Sequence, residues 1–278
     1  MTQLYITDLD HTFLNSNQEV TPFSKEVWNQ LSKRARLSVA TARSFAKTEE
    51  FLRGLELNSP LILLDGALVL TPQKEIIDIK TLDKSLVDEI VGESKKFDIE
   101  PFLLALEDKS TLSESFIVPK KNMNSYQSQL IDWKYSNDPR LKREDIKGVD
   151  DTLKIVYMGE REQLEELVHH LKEVFGNQIE IKLSPEPYMG CWFLTLLHPL
   201  GDKAHAIKRV SEYLSIPLNN ITVFGDNIND IEMFKIAGTS VAVSNALDEV
   251  KKEAKIVLPY SNDENGVAKY LQAKLKEL

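Results

Sequence analysis

Two aspartates stand two residues apart in Asp8-Leu9-Asp10-His11-Thr12, directly after the apolar run Leu4-Tyr5-Ile6. A carboxylate can attack an electrophile, move a proton or ligate a hard divalent cation, and a pair at this spacing can divide such roles. A second polar group, Thr41-Ala42-Arg43-Ser44, follows Leu37-Ser38-Val39. A hydroxyl and backbone N–H groups at a helix start can receive a phosphate. In Gly201-Asp202-Lys203 a lysine opens a helical pattern. The helix dipole disfavours a cation there, so removing the lysine is expected to relieve the helix slightly, and either an anion lies nearby or the lysine is a solvated surface residue. Finally, Gly225-Asp226-Asn227-Ile228-Asn229-Asp230 crowds carboxylates and amides into one turn after Val223-Phe224. That suits a metal and anion site better than a plain Asx-rich turn. Taken singly, each segment also reads as an ordinary acidic loop, helix cap or turn.

Strands and helices must position these groups, and the sequence alternates between the two. Leu4–Thr7 reads as a strand, Ser24–Arg34 as a helix, Leu37–Thr41 as a strand, and a helix capped by Ser44 runs to about residue 55. Leu61–Leu64 is a continuous apolar strand, as expected when both faces are covered. The rhythm returns with a helix from Asp202 to Leu214, a strand over Ile221–Phe224, a helix from about Asn229 and a final helix from Glu264. Such alternation predicts a doubly wound parallel α/β sheet, in which ligands bind beyond the carboxyl ends of the strands. All four polar segments are expected where a strand of this part of the chain ends.

Between the two halves the texture changes. Phe102–Leu106, Ser115–Val118, Leu153–Met158, Ile179–Leu183 and Cys191–Leu197 read as strands of an antiparallel sheet. Leu164, Leu167, Val168, Leu171, Val174 and Phe175 trace an apolar helical face. The expected organisation is a core domain over residues 1–81 and 199–278, interrupted by an α+β domain over residues 82–198.

The composition narrows the classes of function. In 278 residues, 43 acidic side chains face 34 basic ones, for a net charge of −9. That balance argues against a general nucleic-acid binder, which needs basic phosphate contacts. Apolar stretches such as Pro60–Leu64 are too short to span a membrane, so no membrane partner is expected. The single cysteine, Cys191, reads as a buried thiol. Together with an amino terminus lacking a basic segment followed by an apolar one, it gives the expectation of a cytoplasmic protein. Nothing in the sequence indicates an oligomeric state.

In order and spacing, the four segments resemble the haloacid dehalogenase-like (HAD) superfamily, specifically its Cof-type class IIB phosphatases. The resemblance rests on Asp8-x-Asp10-x-Thr12, Thr41-x-Arg43, Lys203 and Gly225-Asp226-x-x-Asn229-Asp230. Ala237-Gly238, Asn245-Ala246 and Glu264-Asn265-Gly266-Val267 look like the same family. It implies a HAD-like Rossmannoid core with an inserted mobile cap, and hydrolysis of a small-molecule phosphate ester. Asp8 would be the nucleophile that becomes an aspartyl phosphate, and Asp10 the acid and then the base. Mg²⁺ would be held by Asp8, the main-chain carbonyl of Asp10 and Asp226, with Asp230 in support. Thr41, Lys203, Asn229 and the backbone of Leu9 and Ala42 would hold the phosphoryl oxygens. Sugar phosphates are the implied substrates. Phosphomutases or phosphotransferases use the same intermediate, and a phospho-ligand binding protein with little turnover is a further alternative.

The sequence departs from the family pattern in four places. His11, Ala42 and Ala204 stand where the family has glycine, and Asp65-Gly66 where it has Asn-Gly. His11 and Asp65 add bulk and charge beside the implied phosphate pocket, so they join Arg43 as candidate determinants of substrate choice. The segment Ser184-Pro185-Glu186-Pro187-Tyr188-Met189-Gly190, stiffened by its prolines, is the expected recognition loop. There Tyr188 and Trp192 would stack on a sugar face and Glu186 accept hydroxyl hydrogen bonds, although Trp192 also reads as a packing residue.

Overall fold

The structure is a computed structural model that describes residues 2–186 and 188–277. The chain opens with strand β1 (Leu4–Thr7), helix α1 (Pro22–Leu31), β2 (Arg36–Val39), α2 (Phe45–Leu52) and β3 (Leu61–Leu63), then β4 (Leu68–Leu70) and β5 (Ile76–Ile79). The middle part holds α3 (Lys84–Ser94), β6 (Phe102–Asp108), β7 (Ser113–Pro119), α4 (Ser125–Leu130), β8 (Leu141–Glu144), β9 (Thr152–Gly159), α5 (Arg161–Phe175), β10 (Glu180–Glu186) and β11 (Cys191–Leu197). It closes with α6 (Lys203–Leu214), β12 (Ile221–Gly225), α7 (Ile231–Ile236), β13 (Thr239–Ala242), α8 (Asp248–Glu253), β14 (Ile256–Val257) and α9 (Gly266–Glu277). Two compact units result, Met1–Ile79 with Lys203–Leu278, and Lys80–Asp202.

The first unit is the α/β fold. Its sheet has the order β14-β13-β12-β1-β2, and every neighbouring pair is parallel. All four residues of β1 and all five of β12 are buried, as expected of central strands covered on both faces. Helix α1 starts where Thr21 accepts a hydrogen bond from Ser24 N and Pro22 supplies a preset first turn. It buries Val27, Trp28 and Leu31 and packs against α9. Ser44 takes the N-cap position of α2 without a side-chain capping bond, and α2 ends at Leu52, short of the expected length. A bridge between Ala40 and Ile62 continues the parallel pairing to β3, which turns back into an antiparallel hairpin with β4 and β5. Neither β4 nor β5 is among the strands expected from the sequence pattern.

The second unit is a six-stranded sheet in the order β10-β11-β9-β6-β7-β8. Its strands alternate strictly: Leu103, Ile155 and Tyr157 face a core shared with α3 and α5, whereas Phe102, Val156 and Met158 face a second core that includes Ile131. The expected antiparallel sheet is corrected at one pair, since β7 and β8 run parallel. The connection through α4 is long enough for a crossover that a tight hairpin could not make. Helix α5 buries Leu164, Leu167, Val168, Leu171 and Phe175, but Val174, expected on the same face, is 46% exposed. Ten residues beyond Leu164, it lies about 80° around the helix from that residue, just past the edge of the buried stripe. Ser184, Pro185 and Glu186, expected in a loop, belong to β10, where Pro185 pairs with Trp192 at the edge of the sheet. Proline is tolerated there because an edge strand has an outer side without a ladder. Pro187 lies outside the described residues. Among the described residues, no helix is long and apolar enough to cross a membrane.

The packing of α5 predicts that Leu167→Ala costs about 2–5 kcal/mol, from lost burial and the cavity left behind. Urea unfolding measures this, and a cost below about 1 kcal/mol would contradict the described packing.

Candidate active site

Parallel register brings the polar segments to one edge. Thr7 lies beside Val39 on one side and beside Phe224 on the other. The residues after β1, β2 and β12 therefore emerge together, and Asp8 N donates to Phe224 O at 3.0 Å. At their centre is Lys203, the first residue of α6, which is fully buried. Its Nζ donates to Asp8 Oδ1 and to Asp230 Oδ1, each at 2.7 Å. The solvated-surface reading of this lysine is thus overturned, and so is the expected gain on removing it. Two buried carboxylates outweigh the helix dipole, and taking away their shared cation leaves uncompensated charge.

The Asp226–Asp230 turn is built around the second oxygen of Asp230. Asp230 Oδ2 accepts from Asp226 N at 2.9 Å and from Asn227 N at 3.1 Å. This return of the side chain needs glycine at 225, because a Cβ there would lie 2.4 Å from Asp230 Oδ2. Asp226 is oriented by Thr12, whose hydroxyl donates to Asp226 Oδ1 at 2.7 Å.

Carboxylate oxygens of Asp8, Asp226 and Asp230 lie within 4.8 Å of one another, and all three residues are buried. Burial, above all, pushes the Asp8 carboxyl up to about 8, with Lys203 opposing and Asp230 and Asp10 adding to the rise. Asp226 is raised well above the ordinary carboxylate range by burial and then by the charges of Asp8 and Asp230. For Lys203, burial acts downward, but Asp230, Asp8 and Asp65 hold it above its usual value. The cluster thus holds more acidic groups than its single ammonium can offset. An all-oxygen donor set with excess negative charge fits a hard divalent cation.

Asp10 is gripped separately. Arg43 donates through Nε to Asp10 Oδ2 at 2.7 Å and through Nη2 to Asp10 Oδ1 at 2.5 Å, a two-pronged pairing. The guanidinium also donates to Gln18 Oε1 at 3.2 Å and lies 4.2 Å from the centre of the Phe51 ring. Arg43, expected to face substrate, is thus set on Asp10. Gln18 and Phe51 gave no signal in sequence, because contacts at such separations belong to the fold. Thr41 is fully buried, and its hydroxyl accepts from Arg43 N at 3.2 Å. Leu9 is buried and Ala42 half-buried. Asn229 donates through Nδ2 to Asp65 Oδ1 at 2.9 Å, which brings Asp65 into the cluster.

His11 has φ 55°, a left-handed conformation that explains why glycine is usual there. Its carbonyl accepts from Asn245 Nδ2 at 2.8 Å. The family-like tail also holds this loop: Asn262 Nδ2 donates to Leu14 O at 3.0 Å, the Asp263 carboxylate accepts from Ser16 N and Oγ, and Asn265 Oδ1 accepts from the Thr21 hydroxyl.

In the second unit, Glu186 Oε1 accepts from Tyr188 N at 3.0 Å, so the carboxylate closes its own turn. Trp192 packs half-buried against the α3/α5 core, with the Arg161 guanidinium 4.8 Å from its ring centre. Trp133, which the sequence reading passed over, is 54% exposed and lies 6.5 Å from the Tyr188 ring, with Lys134 Nζ between 4 and 6 Å from both rings. Cys191 is buried, and burial pushes its thiol up to about 11, which leaves it inert as a nucleophile.

The family model for haloacid dehalogenase-like hydrolases matches residues 5–271. The chain belongs to this family. Among curated relatives, it is 25% identical over 275 residues to the 5-amino-6-(5-phospho-D-ribitylamino)uracil phosphatase YitU of Bacillus subtilis, covering 97% of this chain and 96% of the relative. The phosphatase YwpJ of the same organism is 25% identical over 291 residues, covering 96% and 97%. In fold it resembles a haloacid dehalogenase-like hydrolase from Bacteroides thetaiotaomicron, with a TM-score of 0.79, 21% identity and coverage of 99% and 100%. It also resembles a HAD subclass IIB sugar phosphatase, with a TM-score of 0.76, 18% identity and coverage of 98% and 99%.

A carboxyl whose pKa is higher in the folded than in the unfolded chain stabilises the fold below the ordinary carboxylate range. That contribution is lost as pH rises through the folded value, about 8 for Asp8. The cation-free protein should therefore melt at a lower temperature at about pH 8.5 than at about pH 6. Added Mg²⁺ should raise Tm more at the higher pH, because binding must displace fewer protons there. Differential scanning calorimetry with and without chelator checks both. No Mg²⁺-dependent shift at either pH would count against a cation site here.

Proposed function

We propose that the chain is a Mg²⁺-dependent phosphatase that hydrolyses small phosphorylated metabolites, sugar phosphates foremost, through an aspartyl phosphate on Asp8. The observation that carries this reading is the buried Lys203 ammonium bridging Asp8 and Asp230 at the carboxyl edge of a parallel sheet. An anionic nucleophile approaches an anionic ester only where positive charge awaits the phosphoryl oxygens, and phosphoryl transfer depends mainly on such positioning and neutralisation.

In the first half-reaction an Asp8 oxygen attacks phosphorus and the ester P–O bond breaks. Asp10 gives its proton to the departing alcohol. In the second, Asp10 takes a proton from water, whose oxygen attacks the phosphoryl group; the bond to Asp8 breaks and phosphate leaves. Arg43 orients Asp10, and one of its two contacts must open for an Asp10 oxygen to carry the proton. The hydroxyl of Thr41, the backbone of Leu9 and Ala42, Lys203 and Asn229 hold the phosphoryl oxygens. Mg²⁺, held by Asp8, the main-chain carbonyl of Asp10 and Asp226 with Asp230 in support, would supply further positive charge to those oxygens.

Residues 82–198 are assigned as the cap and residues 1–81 with 199–278 as the core. Recognition of the leaving group is assigned to the cap through Tyr188, Glu186 and Trp192, because the core motifs account for the phosphoryl unit alone. The names of three of the relatives, a 5-amino-6-(5-phospho-D-ribitylamino)uracil phosphatase, a phosphatase and a sugar phosphatase, support a small polyol or sugar ester as substrate.

Phosphate release from a panel of esters, with Mg²⁺ and with a chelator, tests the reading. Release that stops on chelation is expected, and Asp8→Asn should lower turnover by ~10³-fold or more, about 4 kcal/mol of barrier. Turnover within about tenfold of wild type would remove Asp8 from its role. Transfer of phosphate to a second sugar without release would instead mark a mutase or phosphotransferase. Tyr188→Ala and Glu186→Ala should change relative rates among sugar esters while sparing a small aryl phosphate; a uniform loss would remove the recognition assignment.

A further inference from the structure

The turn after β3 is strained. Leu64, Asp65 and Gly66 have φ of 53°, 58° and 117°, three consecutive residues in a region that side chains rarely occupy. Backbone bonds hold the turn there: Leu64 N donates to Arg43 O and Asp65 N to Thr41 O, each at 3.0 Å. The outcome is a carboxylate, 3% exposed, set against Asn229 in a turn that packs against α6, the helix that Lys203 opens. A carboxylate can only accept, so it fixes the Asn229 amide with its nitrogen toward Asp65. Where the family pattern has asparagine, this chain carries a buried carboxyl.

We infer that Asp65 is a positioning residue that tunes the phosphoryl pocket, locking the amide of Asn229 and, by its charge beside Lys203, loosening the hold on free phosphate so that product leaves. This rests on the reading of Lys203 and Asn229 as phosphoryl-binding groups. A buried like charge opposes an entering anion, and the effect is large where solvent screening is poor. Lys203, the Asn229 amide and a bound divalent cation would all draw phosphate in, and a carboxylate at residue 65 opposes that pull.

Asp65→Asn is the decisive variant. It keeps the shape, and asparagine tolerates the left-handed conformation at least as well as aspartate, so the fold is retained. Binding of inorganic phosphate to the Mg²⁺-loaded protein, measured by titration calorimetry, should tighten by about tenfold, 1.4 kcal/mol. Competitive inhibition by phosphate should strengthen by a similar factor, while Tm without phosphate stays within a few degrees of wild type. A purely structural residue would shift Tm and leave phosphate affinity alone. If wild type and variant bind phosphate equally, or the variant binds more weakly, the inference about Asp65 falls while the proposed activity stands. If neither protein binds phosphate and neither hydrolyses any ester, both fall together.

Discussion

The site depends on one buried cation. Lys203 sits without solvent exposure between Asp8 and Asp230, and those carboxylates occupy a space from which water is largely removed. Each charge would be costly there alone, because desolvation of an unpaired ion exceeds most single stabilising contacts in a fold. Together they constrain three elements at once: the end of β1, the start of α6 and the turn after β12. The arrangement is therefore a structural requirement as much as a chemical one. It explains why a lysine can begin a helix whose dipole disfavours it.

Around this centre the polar network is layered. Thr12 aims Asp226, Asp230 folds back over Gly225 to take two backbone N–H groups, and Asn245 holds the carbonyl of His11. Arg43 grips Asp10 from the loop after the next strand, backed by Phe51 and Gln18. Each polar group of the cluster thus has a partner that fixes its direction, the arrangement that the proposed phosphoryl transfer would use. The cluster still carries more acidic than cationic groups, and this imbalance prepares it for a divalent cation. A protein that completed its own charge balance here would have no use for one.

The left-handed residues follow the same logic. His11 and Asp65 occupy conformations for which glycine or asparagine is the easier choice, and both lie in turns that carry site residues. Backbone strain of this kind persists only where surrounding bonds hold it. In each case those bonds are identifiable, from Asn245 at one turn and to Thr41 and Arg43 at the other.

Local pattern in the sequence determined the parts of this protein whose signal lies within a few residues. The apolar runs of β1, β3 and β12, the stripe of α5 and the order of the four polar segments were legible, because period and spacing report burial and turn directly. Where the signal is diluted, it was misread: Val174 falls off its helical face, β8 is too polar to announce itself, and Pro185 belongs to a strand because that strand is an edge. What tertiary structure alone decided is how the charges pair. Arg43 could as well have faced substrate, Lys203 could have been solvated and Asp65 could have been a bystander. The sequence separations are 33 residues for Arg43 and Asp10, 195 for Lys203 and Asp8, and 164 for Asn229 and Asp65. No local propensity spans such distances. Those pairings are set by parallel register and by the cost of burying any of these groups without its partner.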